Sequence, residues 1–309
     1  MKLTAQNVRE YGKRLSNWGR WGDEDELGTL NFIGPEQIAA ALALPRSNRP
    51  VSLAIDFTGD GPMPDRGRFN PQHVMVALGE TTFPGGFQYT DDTVYMSLQG
   101  ATQWDALSHA FYDSTLYNGH PSSTVTEAGA TVNAITAIRN GVVGRGVLLD
   151  VARNRGAGWL EPGTVIEPDE LDAVAAAQGT ELRRGDVIVV RTGAVAQQLA
   201  AGKWDTSFVI GASAGLGFGC AEWLAAHESA AVAADNVAVE AIPGDVEDCM
   251  MPLHMVCLRD MGLIFGEIWN LEGLSAACAE SGQYDFLLVA APLPFSGAVG
   301  APVNPVAIV

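Results

Sequence analysis

The chain has 309 residues, of which 47% are hydrophobic and 17% charged, so it can bury a large core and lacks the composition of a disordered protein. Its formal net charge of −18 excludes the basic surface that nucleic acids and anionic membranes require. No secretory signal is recognisable, and no apolar run of about eighteen residues predicts a membrane span. Four cysteines are too few for a disulfide framework, and we expect a cytoplasmic protein with reduced cysteines.

The first part of the chain predicts a mixture of irregular and regular elements. Residues 1–33 are rich in Trp, Gly and acidic side chains and predict an irregular N-terminal arm. Pro35 opens a predicted helix over 35–44, because Pro is favoured in a first helical turn. A short strand is predicted over 51–57, an ordered Gly- and Pro-rich loop over 59–71, and a second strand from His73.

In the rest of the chain, predicted helices alternate with predicted strands. Helices are predicted over 132–140, 169–178, 222–234 and 271–281, and strands over 144–151, from Asp186 onward and over 285–293. This alternation indicates a mixed α/β fold. The connections are long and Gly-rich, with 35 Gly in all, which differs from a regular βαβ repeat. Without a linker or an internal repeat, we predict one domain spanning residues 1–309.

Two further motifs are present but weak. The segment GASAGLGFG over 211–219 lacks the third glycine of a dinucleotide-binding loop. It contains G-x-S-x-G around Ser213, but the Gly-rich residues that follow disfavour the helix that a nucleophile elbow needs, so a serine hydrolase is a distant alternative. Cys249, His254 and Cys257 lack the paired spacing of a structural zinc site.

The densest group of reactive side chains is the segment QGATQWDALSH, from Gln99 to His109. In an extended stretch, Gln103 and Asp105 point to the same face because side chains alternate along a strand. Two amides, a carboxylate and an imidazole are thus close in sequence, as a small polar site requires. From these residues alone, a surface strand with polar residues is an equally good interpretation.

This segment resembles the signature H-x-G-T-H-x-D-x-P-x-H of the cyclase family, which includes bacterial kynurenine formamidases and isatin hydrolases. PLHMVCLRDMG around His254 and GEIWNLEGL around Glu267 are similar to the segments that carry the family's later metal-binding His and Glu. Residues 18–31 and 144–153 resemble the longer members of that family. The resemblance implies a swivelling β/β/α fold with a mixed sheet and Gly-rich loops. It also implies a homodimer or homotetramer that hydrolyses the amide or lactone carbonyl of a small-molecule substrate.

The resemblance also assigns roles to individual residues. His109 falls on the family's acid/base histidine, and Asp105 falls on its metal-bridging carboxylate. His254 and Glu267 fall on the remaining ligands of a second metal position.

Two departures from the signature concern the first metal position. Gln99 and Gln103 stand where the signature has histidines, and Ala101 and Leu107 replace its Gly and Pro. An amide oxygen is a weaker ligand for zinc or manganese than an imidazole nitrogen. We therefore expect the first metal position to be lost.

The cofactor prediction is accordingly either none or one divalent ion, Mn or Zn. With an ion, Asp105, His254 and Glu267 supply three ligands. Without one, Gln99 and Gln103 act as amide donors to a developing oxyanion, and we favour this metal-free version. In both versions His109 is the general acid/base and Asp105 orients it or the attacking water.

Aromatic and histidine side chains in irregular segments are candidate substrate-binding residues: Trp18, Trp21, Phe69, His73, Tyr112, Tyr117 and His120. The predicted activity is a hydrolase of C–N or ester bonds. Alternatives are a metal-dependent, formamidase-like amidohydrolase, a ring-forming cyclase, and a binding protein that has lost catalysis. The sequence does not specify the substrate.

Overall fold

The computed structural model describes residues 3–64 and 67–309. Its strands, in chain order, are β1 (Pro50–Ser52), β2 (Gln72–Leu78), β3 (Thr90–Tyr95), β4 (Gln103–Asp105), β5 (Val125–Thr126), β6 (Gly129–Ala130), β7 (Val142–Asp150), β8 (Val165–Ile166), β9 (Val187–Arg191), β10 (Gly215–Leu216), β11 (Ala231–Ala234), β12 (Ile264–Glu267), β13 (Asp285–Ala290), β14 (Gly300–Pro302) and β15 (Val306–Ile308).

The α-helices are α1 (Ala5–Leu15), α2 (Pro35–Leu42), α3 (Val151–Asn154), α4 (Pro168–Ala177), α5 (Ala194–Ala201), α6 (Ser207–Ile210), α7 (Cys220–Ala226), α8 (Pro252–His254) and α9 (Glu272–Ser281). A π-helix, Met255–Met261, continues α8. Short 3-10 helices span Gly28–Phe32, Pro84–Gly86, Tyr117–Gly119, Ser122–Thr124 and Ile135–Ile138. Among the described residues, no helix has the length and apolar character that crossing a membrane requires.

A nine-stranded mixed sheet organises the molecule, in the order β1-β15-β13-β7-β9-β11-β12-β4-β14. Strands β7, β9, β11 and β12 are parallel, and the pairs toward both edges are antiparallel. Hydrophobic side chains cover both faces, as is typical of the central parallel strands of an α/β sheet. The predicted α/β class with a mixed sheet is confirmed.

The two faces of the sheet carry separate hydrophobic cores. Along β7, Val147 and Leu149 point into one core, which is closed by α1, α4, α7 and the π-helix. Leu148 points into the other core, which includes α9 and the buried pair Trp104 and Trp269. These indoles meet edge to face, with ring centroids 5.0 Å apart. The alternation of side chains along each strand therefore fixes which face a residue occupies.

The prediction of an irregular arm over residues 1–33 is wrong in part. Residues 5–15 form the 11-residue helix α1, and a 3-10 helix follows over Gly28–Phe32. Val8 and Gly12 are buried on one side of α1, while its other side is polar and exposed. The Trp- and Gly-rich composition of the residues that follow obscured this amphipathic pattern.

The prediction of one helix over 222–234 is also wrong in its second half. Helix α7 ends at Ala226, and Ala231–Ala234 form β11 between β9 and β12. Alanine favours helices, but a fully buried position between two parallel strands overrides that propensity. Small side chains also suit this place, because a Cβ added to Gly266 would lie 2.7 Å from Cβ of Ala233.

The other predicted elements are present with shifted ends. Over 132–140 only the 3-10 helix Ile135–Ile138 forms, and over 51–57 the strand is limited to β1 and an isolated bridge at Ala54. The predicted loop over 59–71 contains no strand or helix in its described part, and its residues 65 and 66 lie outside the described residues. The segment 211–219 is turn-rich around the two-residue strand β10.

Candidate active site

Strand β4 places the predicted polar residues on one face of the sheet. Gln103, Trp104 and Asp105 are all fully buried between β12 and β14. Trp104 points into the hydrophobic core, so Gln103 and Asp105 point to the opposite face, as the alternation predicted. The indole NH of Trp104 donates to the carbonyl of Ala290 at 3.2 Å and holds the strand in register.

Gln103 connects two carboxylates on this face. It lies directly opposite Glu267 in the antiparallel β4–β12 pair, and its Nε2 donates to Glu267 Oε2 at 2.7 Å. The same Nε2 lies 3.5 Å from Asp105 Oδ1. Burial, followed by repulsion from Asp105, raises the pKa of Glu267 to about 7. The side-chain amide of Gln103 therefore lies between the carboxylates of Glu267 and Asp105 and bridges them.

His254 reaches the same group from helix α8. Its Nε2 lies 3.3 Å from Glu267 Oε1, and its Nδ1 lies 2.6 Å from Oε1 of the buried Glu240. Glu240 also accepts from the backbone N–H groups of Leu253 and His254, at 3.1 and 2.9 Å. Burial favours a neutral ring, but the hydrogen bonds with Glu240 and Glu267 outweigh it and raise the pKa of His254 to about 10. His254 is thus an imidazolium at neutral pH.

His109 completes the group from the turn after β4. Its Nε2 lies 3.9 Å from Asp105 Oδ1 and 3.5 Å from a terminal nitrogen of Arg68. Burial lowers the pKa of His109, Asp105 opposes this shift, and the positive charges of Arg68 and His254 add to it. His109 is therefore a neutral base at pH 7, in contrast to the protonated His254.

Arg68 belongs to the Gly- and Pro-rich loop that precedes β2. Arg68 approaches His109, and its Nη1 also donates to the carbonyl of Gln99 at 3.2 Å. Within the described part of the chain, Arg68 has no carboxylate within salt-bridge distance. Its side chain lines the cavity beside His109.

The cavity has a volume of about 510 Å³ and two unlike walls. The polar wall consists of Arg68, His109, His254 and Glu267. The apolar wall includes Val209, Ile210, Val237, Ile242 and Met251. An apolar pocket with a few convergent polar groups is the usual form of a small-molecule site.

Several buried polar atoms around this cavity have no hydrogen-bond partner in the described chain: Gln99 Nε2, Gln103 Oε1, Asp105 Oδ2 and His109 Nδ1. Buried polar atoms are nearly always paired in proteins. Gln99 fits tightly against Gly300, where an added Cβ would lie 2.5 Å from Gln99 Nε2. These four atoms are therefore available to form hydrogen bonds or coordinate bonds with a bound ligand.

Three residues of the site could together hold one divalent ion. One ligand atom from each of Asp105, His254 and Glu267 lies within 4.8 Å of the others. Two carboxylates and an imidazole are a suitable donor set for zinc or manganese. A proton competes for the same atoms, because His254 must lose one to become a ligand.

The candidate substrate-binding aromatic residues and histidines lie elsewhere, and none of them lines the cavity in the described chain. Trp18 Nε1 donates to the carbonyl of Arg259, and Trp21 packs edge-on against Phe32. Tyr112 and Tyr117 donate to Asp260 and Asp25, respectively. These four aromatic side chains pack the N-terminal segment and the 112–120 loop against the rest of the domain.

The remaining three candidates also lie outside the cavity. Phe69 stacks on Tyr95 at the base of the β2–β3 hairpin, with centroids 4.8 Å apart. His73 pairs with Asp92 on the exposed surface of that hairpin. His120 follows a 3-10 turn, and its backbone carbonyl accepts from Leu116 N, while its ring Nε2 is buried without a hydrogen-bond partner in the described chain.

Ser213 and the cysteines have no catalytic surroundings within the described residues. Ser213 is buried, and its hydroxyl donates to the carbonyl of Ala214 at 3.2 Å. All four cysteines are free, and burial raises the pKa of Cys220 and Cys257 far above the ordinary thiol range. A thiolate nucleophile is therefore disfavoured at both positions.

Arg68 and Glu240 are the site residues that sequence reasoning missed. Arg68 lies in the loop predicted over 59–71, where a cation among Gly and Pro was the available signal. Glu240 lies fourteen positions before His254 and carries no motif of its own. Only the fold shows that it holds that histidine.

Comparison with known proteins gives one family and several similar structures. The model of the family described as "Putative cyclase" matches residues 40–241. A crystal structure of a novel cyclase is 39% identical, with a TM-score of 0.88, and the match covers 96% of this chain and 99% of the other. No curated protein sequence matches the chain.

More distant structures share the fold. Isatin hydrolase A from Labrenzia aggregata, bound to benzyl benzoate, is 17% identical, with a TM-score of 0.63 and coverage of 84% of this chain and 93% of the other. Isatin hydrolase A from Ralstonia solanacearum is 18% identical, with a TM-score of 0.62 and coverage of 87% and 95%. At these identities the likeness concerns the fold alone.

Proposed function

This chain belongs to the cyclase family, and on that premise we propose that it is a hydrolase that cleaves an amide, ester or lactone carbonyl of a small molecule, with His109 as general acid and base. The observation that carries this proposal is the meeting of three groups at one cavity. The neutral imidazole of His109 and the guanidinium of Arg68 line the cavity, and the buried carboxylate of Asp105 lies 3.9 Å behind His109.

The proposed reaction uses each of these groups in one role. His109 removes a proton from water as the water oxygen attacks the carbonyl carbon. Asp105, 3.9 Å away, stabilises the imidazolium that forms. Arg68 donates to the carbonyl oxygen as negative charge develops on it. The C–N or C–O bond then breaks, His109 returns the proton to the leaving atom, and a carboxylate product remains.

The walls of the cavity indicate the shape of the substrate. Its aliphatic side suits a compact apolar body, while the reacting carbonyl faces Arg68 and His109. Gln103 does not serve as the oxyanion donor in this proposal, because its Nε2 donates to Glu267. Gln99, whose Nε2 has no partner in the described chain, remains the second candidate donor.

The experiment that tests the function is hydrolysis of a panel of cyclic and aryl amides, lactones and esters with apolar bodies. We expect at least one compound to be opened or cleaved with release of a carboxylic acid. If every compound is left intact by folded protein over a wide pH range, the chain is better described as a binding protein.

A metal-dependent amidohydrolase is the second candidate, favoured by the grouping of Asp105, His254 and Glu267 within 4.8 Å. A bound divalent ion would supply Lewis-acid polarisation and a more acidic water. The residues themselves would orient that ion, while Gln103 and Glu240 hold the ligands in place through hydrogen bonds.

Metal content separates these two candidates. For the metal-free mechanism, we expect protein purified without chelator to contain much less than one equivalent of divalent metal and to keep its activity in EDTA. A stoichiometric ion whose removal abolishes turnover would instead establish the second candidate. Binding of added zinc should strengthen as pH rises, because His254 must lose its proton.

The pH dependence of kcat/KM gives a further prediction. Since burial and the charge of Arg68 lower the pKa of His109 despite Asp105, the acidic limb should lie below the ordinary histidine pKa of about 6.5. Arg68→Gln should move that limb to higher pH and lower kcat/KM by about 10²- to 10³-fold. The exposed Arg46→Gln serves as the control and should change neither. A limb that moves to lower pH in Arg68→Gln would contradict these roles.

A further inference from the structure

A second cavity, of about 590 Å³, lies outside the candidate active site. Its walls come from the loop before β2 and from the end of α5 with the segment that follows it: Asp60, Gln198, Leu199, Gly202, Lys203 and Trp204. It shares no lining residue with the cavity beside His109. Its volume lies within the range of about 300–1,000 Å³ that is typical of small-molecule sites.

The end of α5 determines the shape of this cavity. Gly202 follows the helix with a φ of 69°, a left-handed conformation that glycine adopts without strain. Its N–H donates to the carbonyl of Leu199 at 3.1 Å and closes the last helical turn. A Cβ added to Gly202 would meet no atom within 4 Å, so the chain bends here beside open space. The bend brings Lys203 and Trp204, which come next in the chain, to the wall of the cavity.

Two opposite charges line the cavity without pairing. Lys203 and Asp60 are both exposed, and within the described chain neither forms an ion pair with the other or with a third residue. Lys203 is one of only three lysines in a chain with a net charge of −18. The ammonium group of Lys203 and the carboxylate of Asp60 are therefore both available to a bound ligand.

A buried amide adds a fixed donor. Gln198 is only 8% exposed, although it lines the cavity. Its Oε1 accepts from the backbone N–H of Asp205 at 2.7 Å, which fixes the orientation of the amide. Its Nε2 donates to no other group of the described chain. Because the amide is held in place, this Nε2 can donate to an acceptor on a bound molecule without a loss of side-chain freedom.

The indole of Trp204 provides an apolar wall. It is half-buried and packs edge-on against Phe208, with ring centroids 5.0 Å apart. Leu199, which is 51% exposed, lines the same cavity. An aromatic ring supported in this way offers a rigid contact surface for an apolar group of a ligand.

The charges of the cavity select among classes of ligand. A simple anion would pair with Lys203 but be repelled by Asp60, and a simple cation would meet the reverse situation. A zwitterion pairs with both charges. We propose that this cavity is a second ligand site, which binds a free amino acid with an apolar side chain. The ligand carboxylate pairs with Lys203 and accepts from Gln198 Nε2. Its ammonium group pairs with Asp60, and its side chain packs on Trp204.

This site contacts two segments that also shape the active-site cavity. The loop over 59–71 contributes Asp60 to the second cavity and Arg68 to the first. The segment after α5 contributes Trp204 to the second cavity and Val209 to the first, and both side chains pack against the same small hydrophobic core. The ligand site does not depend on the proposed reaction, because none of its groups takes part in that reaction.

The test is isothermal titration calorimetry of the full-length protein with L-phenylalanine at low ionic strength. We expect wild-type protein to bind with a Kd below about 1 mM. Lys203→Gln and Asp60→Asn should each weaken binding about tenfold or more, because each variant removes one charged partner. Their circular dichroism should remain that of the wild type, since both side chains are exposed and unpaired in the described chain.

Two analogues of the ligand separate the two charges. We expect wild-type protein to bind 3-phenylpropanoate, which lacks the ammonium group, and phenethylamine, which lacks the carboxylate, about tenfold or more weakly than L-phenylalanine. Asp60→Asn should bind 3-phenylpropanoate at least as tightly as the wild type does, because the repulsion between two carboxylates is removed. Lys203→Gln should do the same for phenethylamine.

The matched control is Lys13→Gln, which removes an exposed lysine of α1 outside the cavity and should leave the Kd unchanged. Absence of binding by wild-type protein at about 10 mM L-phenylalanine, ten times the weakest Kd expected, would overturn the inference. So would a Kd that stays at the wild-type value in both Lys203→Gln and Asp60→Asn. Because binding is measured without turnover, these outcomes are independent of the proposed activity.

Discussion

Replacing His109 with alanine is expected to lower kcat/KM by about 10²- to 10⁴-fold, the range that general acid–base catalysis contributes. The imidazole is placed for this role by the turn after β4, beside Asp105 and Arg68. Its loss should have little effect on folding, because its Nδ1 has no hydrogen-bond partner in the described chain and its Nε2 makes only long contacts. Steady-state kinetics on any substrate from the panel measure the effect.

The matched control for this variant is His227→Ala. His227 is also half-buried, but it contacts the carbonyl of Trp223 and its ring, outside the cavity. We expect that variant to keep the wild-type rate. Unchanged turnover in a folded His109→Ala protein would exclude His109 as the acid/base group.

The second large effect concerns stability. Replacing Glu240 with alanine should destabilise the fold by about 3 to 5 kcal/mol, the usual cost of removing one partner of a buried ion pair. It leaves the protonated His254 without its closest partner and two backbone N–H groups without an acceptor. Urea unfolding measures this change. Glu222→Ala, which removes an exposed partner of Arg14, should leave the unfolding midpoint nearly unchanged.

The pH dependence of stability checks the cause of this effect. A folded-state pKa of about 10 for His254, above its ordinary value of about 6.5, means that the proton bound by His254 stabilises the fold fully below pH 6.5. This contribution is lost as pH rises from about 6.5 to 10. Glu240→Gln, which keeps the side-chain shape, should reduce that loss. An equal pH dependence in both proteins would show that His254 does not carry the charge.

Part of the fold and the geometry of β4 could be predicted from local pattern. The alternation of Gln103, Trp104 and Asp105 was sufficient to place two polar side chains on one face, because a strand has a strict period of two. The α/β class followed from apolar runs such as the one that forms β9. These features depend on neighbours in sequence.

The features that were missed depend on contacts between distant segments. Arg68 approaches His109 across 41 positions, and Gln103 meets Glu267 across 164. Likewise, the alanines of β11 become a strand only because β9 and β12 flank them. The aromatic residues predicted to clamp a substrate show the same limitation, since their ring chemistry suits packing and binding equally.

The most direct test of the central claim is the incorporation of labelled oxygen from isotopic water into the product. Wild-type protein acting on a panel substrate should yield a carboxylate that carries one labelled oxygen, while Arg68→Gln yields far less in the same time. For an ester of the panel, label in the released alcohol and none in the carboxylate would show cleavage of the alkyl–oxygen bond instead. That result would contradict water attack assisted by His109.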